Sequence, residues 1–168
     1  MRKILIFLIF LLCPCLAFTQ EIRYVDAGKL LSESKPAQAA KKHLEEARKV
    51  LEQGYADLQK AWENSDQKEK VLLEGLQALN AQMRLEEQAA LSIVAALMKE
   101  EIRAWREKNK VDMVLAKQDL LDASEKPDIT AIIMDNMNKR EAKFAELPKV
   151  SVKGPEKPEP VQKTPSKK

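Results

Sequence analysis

The chain is poor in the residues on which most enzymes and metal-stabilised folds depend. Its 168 residues include two cysteines, one histidine and four glycines. Because Cys13 and Cys15 lie in the N-terminal apolar stretch, the rest of the chain has no thiol for a disulfide, a nucleophile or a metal. The histidine, His43, has no apparent nucleophile or orienting partner, and the glycine-rich nucleotide-binding motifs are missing. The sequence therefore predicts no enzyme activity, no metal and no cofactor.

The first 19 residues have the layout of a secretory signal peptide. Two cations precede an apolar run over residues 4–12, and small residues follow. The longest apolar stretch, residues 4–18, is shorter than the roughly 20 residues that a membrane-spanning helix needs. We therefore expect residues 1–19 to be removed during export, with the cut after Ala17 or Thr19.

The C-terminal segment, residues 148–168, has the composition of a disordered tail. It holds five of the eight prolines, six lysines, two glutamates and no aromatic residue, so it buries too little apolar surface to offset its ordering entropy. The net charge of +3 comes from the ends of the chain. Two cations leave with the signal peptide and the tail carries +4, which leaves −3 on residues 21–147. Nucleic-acid binding is therefore not predicted, and weak contact of the tail with a membrane surface is the remaining electrostatic possibility.

Residues 36–110 have the pattern of two long helices that fold back on each other. Pro36 suits the first turn of a helix, and strong helix formers then continue to Asn109 except at residues 64–66, which favour caps and turns. Apolar residues recur every seven positions, which predicts a left-handed coiled coil. The repeat positions are Leu44, Leu51 and Leu58 in the first helix and Leu76, Met83, Ala90, Leu97 and Ala104 in the second. The predicted fold class is mainly α, with this antiparallel coiled-coil hairpin projecting from a small β body.

Two features of this helical arm have alternative interpretations. Folding at the break places Gly54 opposite Gly75, and that level is either a hinge or a tight crossing of the helices, because both follow from the missing Cβ. Tyr55 and Trp62 either stabilise the hairpin or bind an unfolded chain, and for Trp62, beside the polar tip, we expect client contact. Further candidates for diffuse client contact are Leu73, Ala89, Ile93, Val94 and Ala96.

Short segments on either side of the arm have the period-two pattern of strands. Residues 22–26 and 111–116 are predicted strands, and residues 119–123 are a less regular candidate for another. A final helix is expected to begin after Asp128, which suits the N-cap. Two or three short strands are not stable by themselves, so they invite partner strands.

The stretches that flank the arm resemble the Skp/OmpH family of periplasmic chaperones. Residues 25–34, Val-Asp-Ala-Gly-Lys-Leu-Leu-Ser-Glu-Ser, are similar to the family's opening pattern of a strand, Val-Asp and a short helix. Residues 111–115 and the Asp-Ile-Thr of residues 128–130 are similar to its closing strand pair and helix start. With the order of elements and the hairpin length, the resemblance covers about residues 21–145.

The resemblance implies a homotrimer in which strands of three subunits form a barrel-like body. Three arms would then surround a cavity that holds unfolded outer-membrane β-barrel proteins without ATP. Residues 20–35 and 111–147 would form the body, and residues 36–110 the arm. The residues expected to build the trimeric body are Ile22, Tyr24, Val25, Val111, Met113, Val114, Leu115, Ile129, Ile132 and Ile133.

The arm departs from the family in its charge. Residues 37–110 contain 13 basic and 13 acidic residues, whereas the best-known members have strongly basic arms. This balance argues against lipopolysaccharide or phospholipid binding by the arm. The alternative function is a structural coiled-coil spacer that binds no client and links envelope layers through its tail. Both functions would place the protein in the periplasm.

Overall fold

The computed structural model describes residues 21–155. This part of the chain is mostly helical, with two long helices packed together and a small two-stranded sheet. The predicted signal peptide and residues 156–168 of the predicted tail lie outside the described residues. In chain order the elements are β1 (Ile22–Val25), α1 (Ala27–Glu33), α2 (Lys35–Ala61), α3 (Lys68–Asn109), β2 (Met113–Ala116), a 3-10 turn (Lys117–Asp119) and α4 (Thr130–Met137).

Side-chain caps fix where the first two helices begin. Asp26 Oδ1 accepts a hydrogen bond from the N–H of Lys29 at 2.9 Å, which caps α1. Ser34 Oγ accepts one from Ala37 at 3.3 Å at the start of α2. Pro36 lies in the first turn of α2, where a helix has no use for its missing N–H. The polar cluster at residues 64–66 lies, as expected from its composition, in the connection between α2 and α3.

The two long helices, called the helix pair below, run in opposite directions and pack against each other. His43 Nε2 on α2 lies 3.6 Å from Glu86 Oε2 on α3, and nearer the connection Gly75 faces Leu58. The helices have 27 and 42 residues, which corresponds to roughly 40 and 63 Å at a rise of 1.5 Å per residue. The pair is therefore far longer than the small sheet beside it.

The sequence prediction places Gly54 opposite Gly75, and the structure shows that these two glycines do not face each other. A Cβ at Gly75 would overlap with Leu58, whereas a Cβ at Gly54 would overlap with Val150 of the C-terminal segment. Counting residues from the tip identifies positions at a similar level of two helices. It does not fix the direction of each Cα–Cβ bond around its helix, and that direction differs for the two glycines.

The hydrophobic core lies where α1, α4, the start of α2 and the second half of α3 meet. Its buried residues are Val25, Leu30, Ala37, Ala40, Ala90, Val94, Met98, Ile129, Ile133 and Met137. Ile102 and Trp105 near the end of α3 pack against this cluster. Trp105 therefore anchors α3 to the body rather than belonging to a free surface.

The sheet pairs the first strand of the described chain with its last. β1 and β2 are parallel, with Ile22 opposite Met113 and Tyr24 opposite Leu115. On the other side of β1, the Tyr24 N–H donates to Pro127 O and the Ile129 N–H donates to Tyr24 O, each at 3.0 Å. β1 is thus bonded on both sides, while within residues 21–155 the outer edge of β2 has no partner strand.

The segment between β2 and α4 differs from its sequence prediction in two places. No strand forms at residues 119–123, because the 3-10 turn takes the chain away from the sheet and Leu121 is fully exposed. The N-cap position of α4 is Ile129 rather than Asp128. Asp128 still acts as a local cap, since its Oδ1 accepts the N–H of Thr130 at 2.8 Å.

Candidate binding surfaces of the helix pair and body

The clearest functional feature is a set of large apolar side chains that α3 leaves in solvent. Half of the strongly exposed large apolar residues within 21–155 lie on this helix. They are Leu73 (59%), Leu76 (42%), Leu85 (60%) and Leu91 (57%). Leu73 and Leu91 are separated by about five helical turns, so they lie on one line along α3. Single exposed leucines are ordinary, whereas apolar side chains on one face indicate a binding surface; Leu85 lies about 120° around α3 from the line of Leu73 and Leu91.

An open groove of about 440 Å³ lies between α2 and α3, and Leu76 is the one of these four leucines that lines it. Its apolar wall consists of Leu51, Tyr55, Leu76, Leu79 and Met83, and polar side chains form the rim. Apolar walls that contain methionine adapt to different ligand shapes. The sequence identifies Tyr55 as a contact candidate but assigns Leu76 and Met83 to the helix seam, and it misses Leu79. The heptad count assigns seam positions, but it does not show that a groove stays open beside them.

The structure separates the other predicted client contacts into three groups. Leu73, Ala89 and Ala96 are exposed, and Ile93 is half-buried. Val94 contradicts the prediction, because it is only 2% exposed and belongs to the core cluster. It lies one residue beyond Ile93, about 100° around the helix, which turns it from the surface towards the core.

Trp62 is half-buried and already has a partner. Its Nε1–H donates to the backbone oxygen of Lys153 at 2.8 Å. The bond joins the tip of the helix pair to the C-terminal segment, although Trp62 and Lys153 are far apart in sequence. We predicted an exposed client contact here, and the structure instead shows the indole held by the chain itself.

The chain that follows α4 runs back along the helix pair from the body towards the tip. The Arg140 guanidinium donates to Glu101 Oε1 at 2.6 Å and to Glu100 Oε2 at 3.1 Å, and these bonds raise the pKa of Arg140 above its usual value. The Phe144 ring then stacks on His43 with ring centroids 5.0 Å apart. Val150 covers Gly54 farther along. Residues 148–155 therefore differ from the predicted disordered tail, because the helix pair supplies a surface on which their apolar side chains lie.

His43 is a packing residue between the helix pair and this segment. Its side chain is 12% exposed, with Glu86 on one side and the Phe144 ring stacked on it. Among residues 21–155, no group of three or more His, Cys, Asp or Glu side chains is arranged to hold a metal ion. No helix in the same range is both long and apolar enough to cross a bilayer.

The residues predicted for the trimeric body divide between the core of this chain and its surface. Tyr24, Val25, Val111, Ile129 and Ile133 are buried within the chain, and Val114 and Leu115 are partly covered. Ile22 (45%), Met113 (42%) and Ile132 (46%) are exposed. Ile22 and Met113 are opposite each other in the sheet, next to the unpaired edge of β2. An apolar patch and an open strand edge therefore occur together.

No protein-family model and no curated protein matches the chain.

Proposed function

We propose that this protein is an ATP-independent periplasmic holdase that binds unfolded outer-membrane β-barrel proteins on its helix pair and prevents their aggregation. The observation that carries the proposal is the apolar surface that α3 leaves in solvent, with Leu73 and Leu91 on one line and Leu76 in the wall of the open groove. Such a protein needs many weak, non-directional contacts rather than one shaped site. Exposed leucine, alanine and methionine side chains on a long scaffold supply them.

The proposal includes a homotrimer with coiled-coil arms. Ile22 and Met113 leave apolar surface beside the unpaired β2 edge, and strand edges of this kind pair readily with strands of another chain. Three arms that hold one client would bind through avidity, so no single contact has to be strong. The order of strand, short helix, helix pair, strand and helix supports this architecture, because the resemblance to the Skp/OmpH family implies the same order.

The first test measures the mass and holding activity of the mature protein. We expect residues 20–168 to sediment as a trimer. We also expect them to suppress light scattering when a urea-unfolded outer-membrane β-barrel protein is diluted into buffer without nucleotide. A stable monomer that leaves client aggregation unchanged would contradict the proposal.

The second test removes the apolar surface without touching the core. The double variant Leu73→Gln/Leu91→Gln loses two exposed leucines that share one line along α3, and we expect client affinity to fall roughly 30-fold, because each leucine contributes on the order of 1 kcal/mol when a client covers it. The matched control is Ala78→Gln/Ala81→Gln, at exposed positions of the same helix. Equal loss in both variants would show that the leucines are not the contact points.

A tail deletion separates the holdase from the spacer. Removal of residues 156–168 keeps every residue of the helix pair and body, so a holdase should keep its activity in the aggregation assay. A spacer that links envelope layers through its tail would lose its function in cells and would show no holding activity in either form.

A further inference from the structure

Residues 140–153, called the strap below, are attached to the helix pair in an unusual way. Its residues from 141 onward form no regular secondary structure, and within residues 21–155 none of them takes part in a backbone–backbone hydrogen bond. Four side-chain-based anchors hold it: Arg140 on Glu100 and Glu101, Phe144 on His43, Val150 on Gly54, and Trp62 on the Lys153 carbonyl. A segment held at separate points can leave without unfolding the helices beneath it.

The strap presents an alternating pattern to the helix pair. Pro148, Val150 and Val152 are half-buried, whereas the residues between and after them, Lys149, Ser151 and Lys153, are exposed. Alternation with period two is what an extended chain shows when one of its faces lies against the rest of the protein. The membrane-spanning strands of β-barrel proteins carry the same alternation of apolar and polar residues.

A notch at Gly54 receives the central valine of this pattern. It is part of a shallow depression of about 340 Å³ lined by Lys49, Val50, Gln53, Gly54, Asp57 and Val150. Any side chain at position 54 would occupy the space of the Val150 methyl groups. The missing Cβ of Gly54 therefore creates room for an aliphatic side chain from an extended segment, and the indole N–H of Trp62 offers a donor to a carbonyl farther along.

We propose that this face of α2 is a binding site for extended polypeptide with apolar side chains at alternate positions, and that the strap is a built-in occupant which an unfolded β-barrel strand displaces. The inference rests on the proposed holdase function. It adds where the client binds, which sequence pattern that site recognises, and that the strap competes with the client for the site. A strap with the pattern of a client strand keeps this face of α2 covered until a client with more such segments replaces it. The apparent client affinity then equals the intrinsic affinity multiplied by the fraction of molecules in which the strap is undocked.

The first experiment measures strap docking without any client. Because the mature chain has no cysteine, a fluorophore on Lys149→Cys reports the mobility of the strap through its anisotropy. Val150→Asp places a charge in the notch, and we expect the anisotropy to fall. Ser151→Asp adds the same charge at the neighbouring exposed position, and we expect no change. Equal anisotropy in these two variants would overturn the docking geometry.

The second experiment measures binding in the full-length mature protein. We expect Val150→Asp to bind the urea-unfolded barrel protein about three- to tenfold more tightly than the parent, because the competing occupant is gone. Ser151→Asp should bind like the parent. Gly54→Leu fills the notch, so it should release the strap without any gain in affinity. A freed strap in Val150→Asp with unchanged affinity would overturn the competition.

A peptide probe tests the recognised pattern. A labelled peptide with the sequence of residues 141–155 should bind Val150→Asp more tightly than the parent. A peptide of the same composition, in which the residues corresponding to Ser151 and Val152 are exchanged, should bind more weakly because its alternation is broken. Equal binding of the two peptides would overturn the pattern. If no variant binds the unfolded barrel protein while the peptide and anisotropy results hold, the holdase function fails and the peptide-binding face stands.

Discussion

The contact between α2 and α3 at their body end depends on small residues, and replacing one of them should force the two helices apart. Ala90 on α3 is 2% exposed and shares the core cluster with Ala37 and Ala40 of α2. Helices that meet at alanines lie near the short end of the usual 8–10 Å range of interaxial distances. Ala90→Leu adds three carbons in this space, so either the helices move apart or the leucine adopts a strained rotamer. Overpacking of this kind costs about 1–3 kcal/mol.

The neighbouring residue provides a matched control for this change. Ala89 is exposed on the same helix, and Ala89→Leu adds the same three carbons with nearly the same helix propensity. We expect its effect on the free energy of unfolding to stay within about 0.5 kcal/mol, as is usual for surface substitutions. The difference between the variants therefore measures packing rather than composition.

Urea unfolding followed by circular dichroism at 222 nm measures both variants. With slopes of about 1–3 kcal/mol per molar urea for domains of this size, a cost of 2 kcal/mol lowers the midpoint by roughly 1 M. Protein concentration has to be the same throughout, because self-association shifts apparent stability. If Ala90→Leu unfolds at the same urea concentration as Ala89→Leu, or at a higher one, α3 does not pack closely on α2 at this level.

Three further predictions concern the body and the strap. Thr130→Val removes the Oγ1 that accepts the Asp26 N–H at 2.8 Å, and urea unfolding should show a loss of about 1–2 kcal/mol; an unchanged midpoint would mean that water replaces this bond. Ile133→Ala opens a cavity at a fully buried position and should cost about 2–5 kcal/mol, whereas Ile132→Ala, at an exposed position, should cost far less. Similar costs for the two isoleucines would contradict the core assignment. Trp62→Phe removes the donor to the Lys153 carbonyl, so a label at position 149 should become more mobile, and a label as rigid as in the parent would show that the indole does not hold the strap.

Part of the candidate surface can be predicted from the sequence. Leu73, Ala89 and Ala96 lie outside the heptad positions, and an apolar residue off the seam of two packed helices tends to face solvent. The same reasoning failed for Val94, because the core cluster extends beyond the seam at the body end of α3. The groove beside Tyr55 was not predictable, since its depth depends on how far the helices stand apart.

Local physical chemistry in the sequence determined the helices, their caps and the break between them. Proline in a first turn, Asp26 and Ser34 as caps, and an uninterrupted series of helix formers act over a few residues, so their effect can be predicted without the rest of the chain. The tertiary structure decided which side chains the helices cover. The direction of each Cβ around its helix turned Gly54 towards Val150 instead of Gly75. The lysine- and proline-rich composition predicts disorder from residue 148 onward, but it does not show that a neighbouring helix face offers a surface for its valines. The strap reaches that face because Arg140 binds Glu100 and Glu101 of α3 and Phe144 stacks on His43 of α2, and these contacts join residues far apart in sequence.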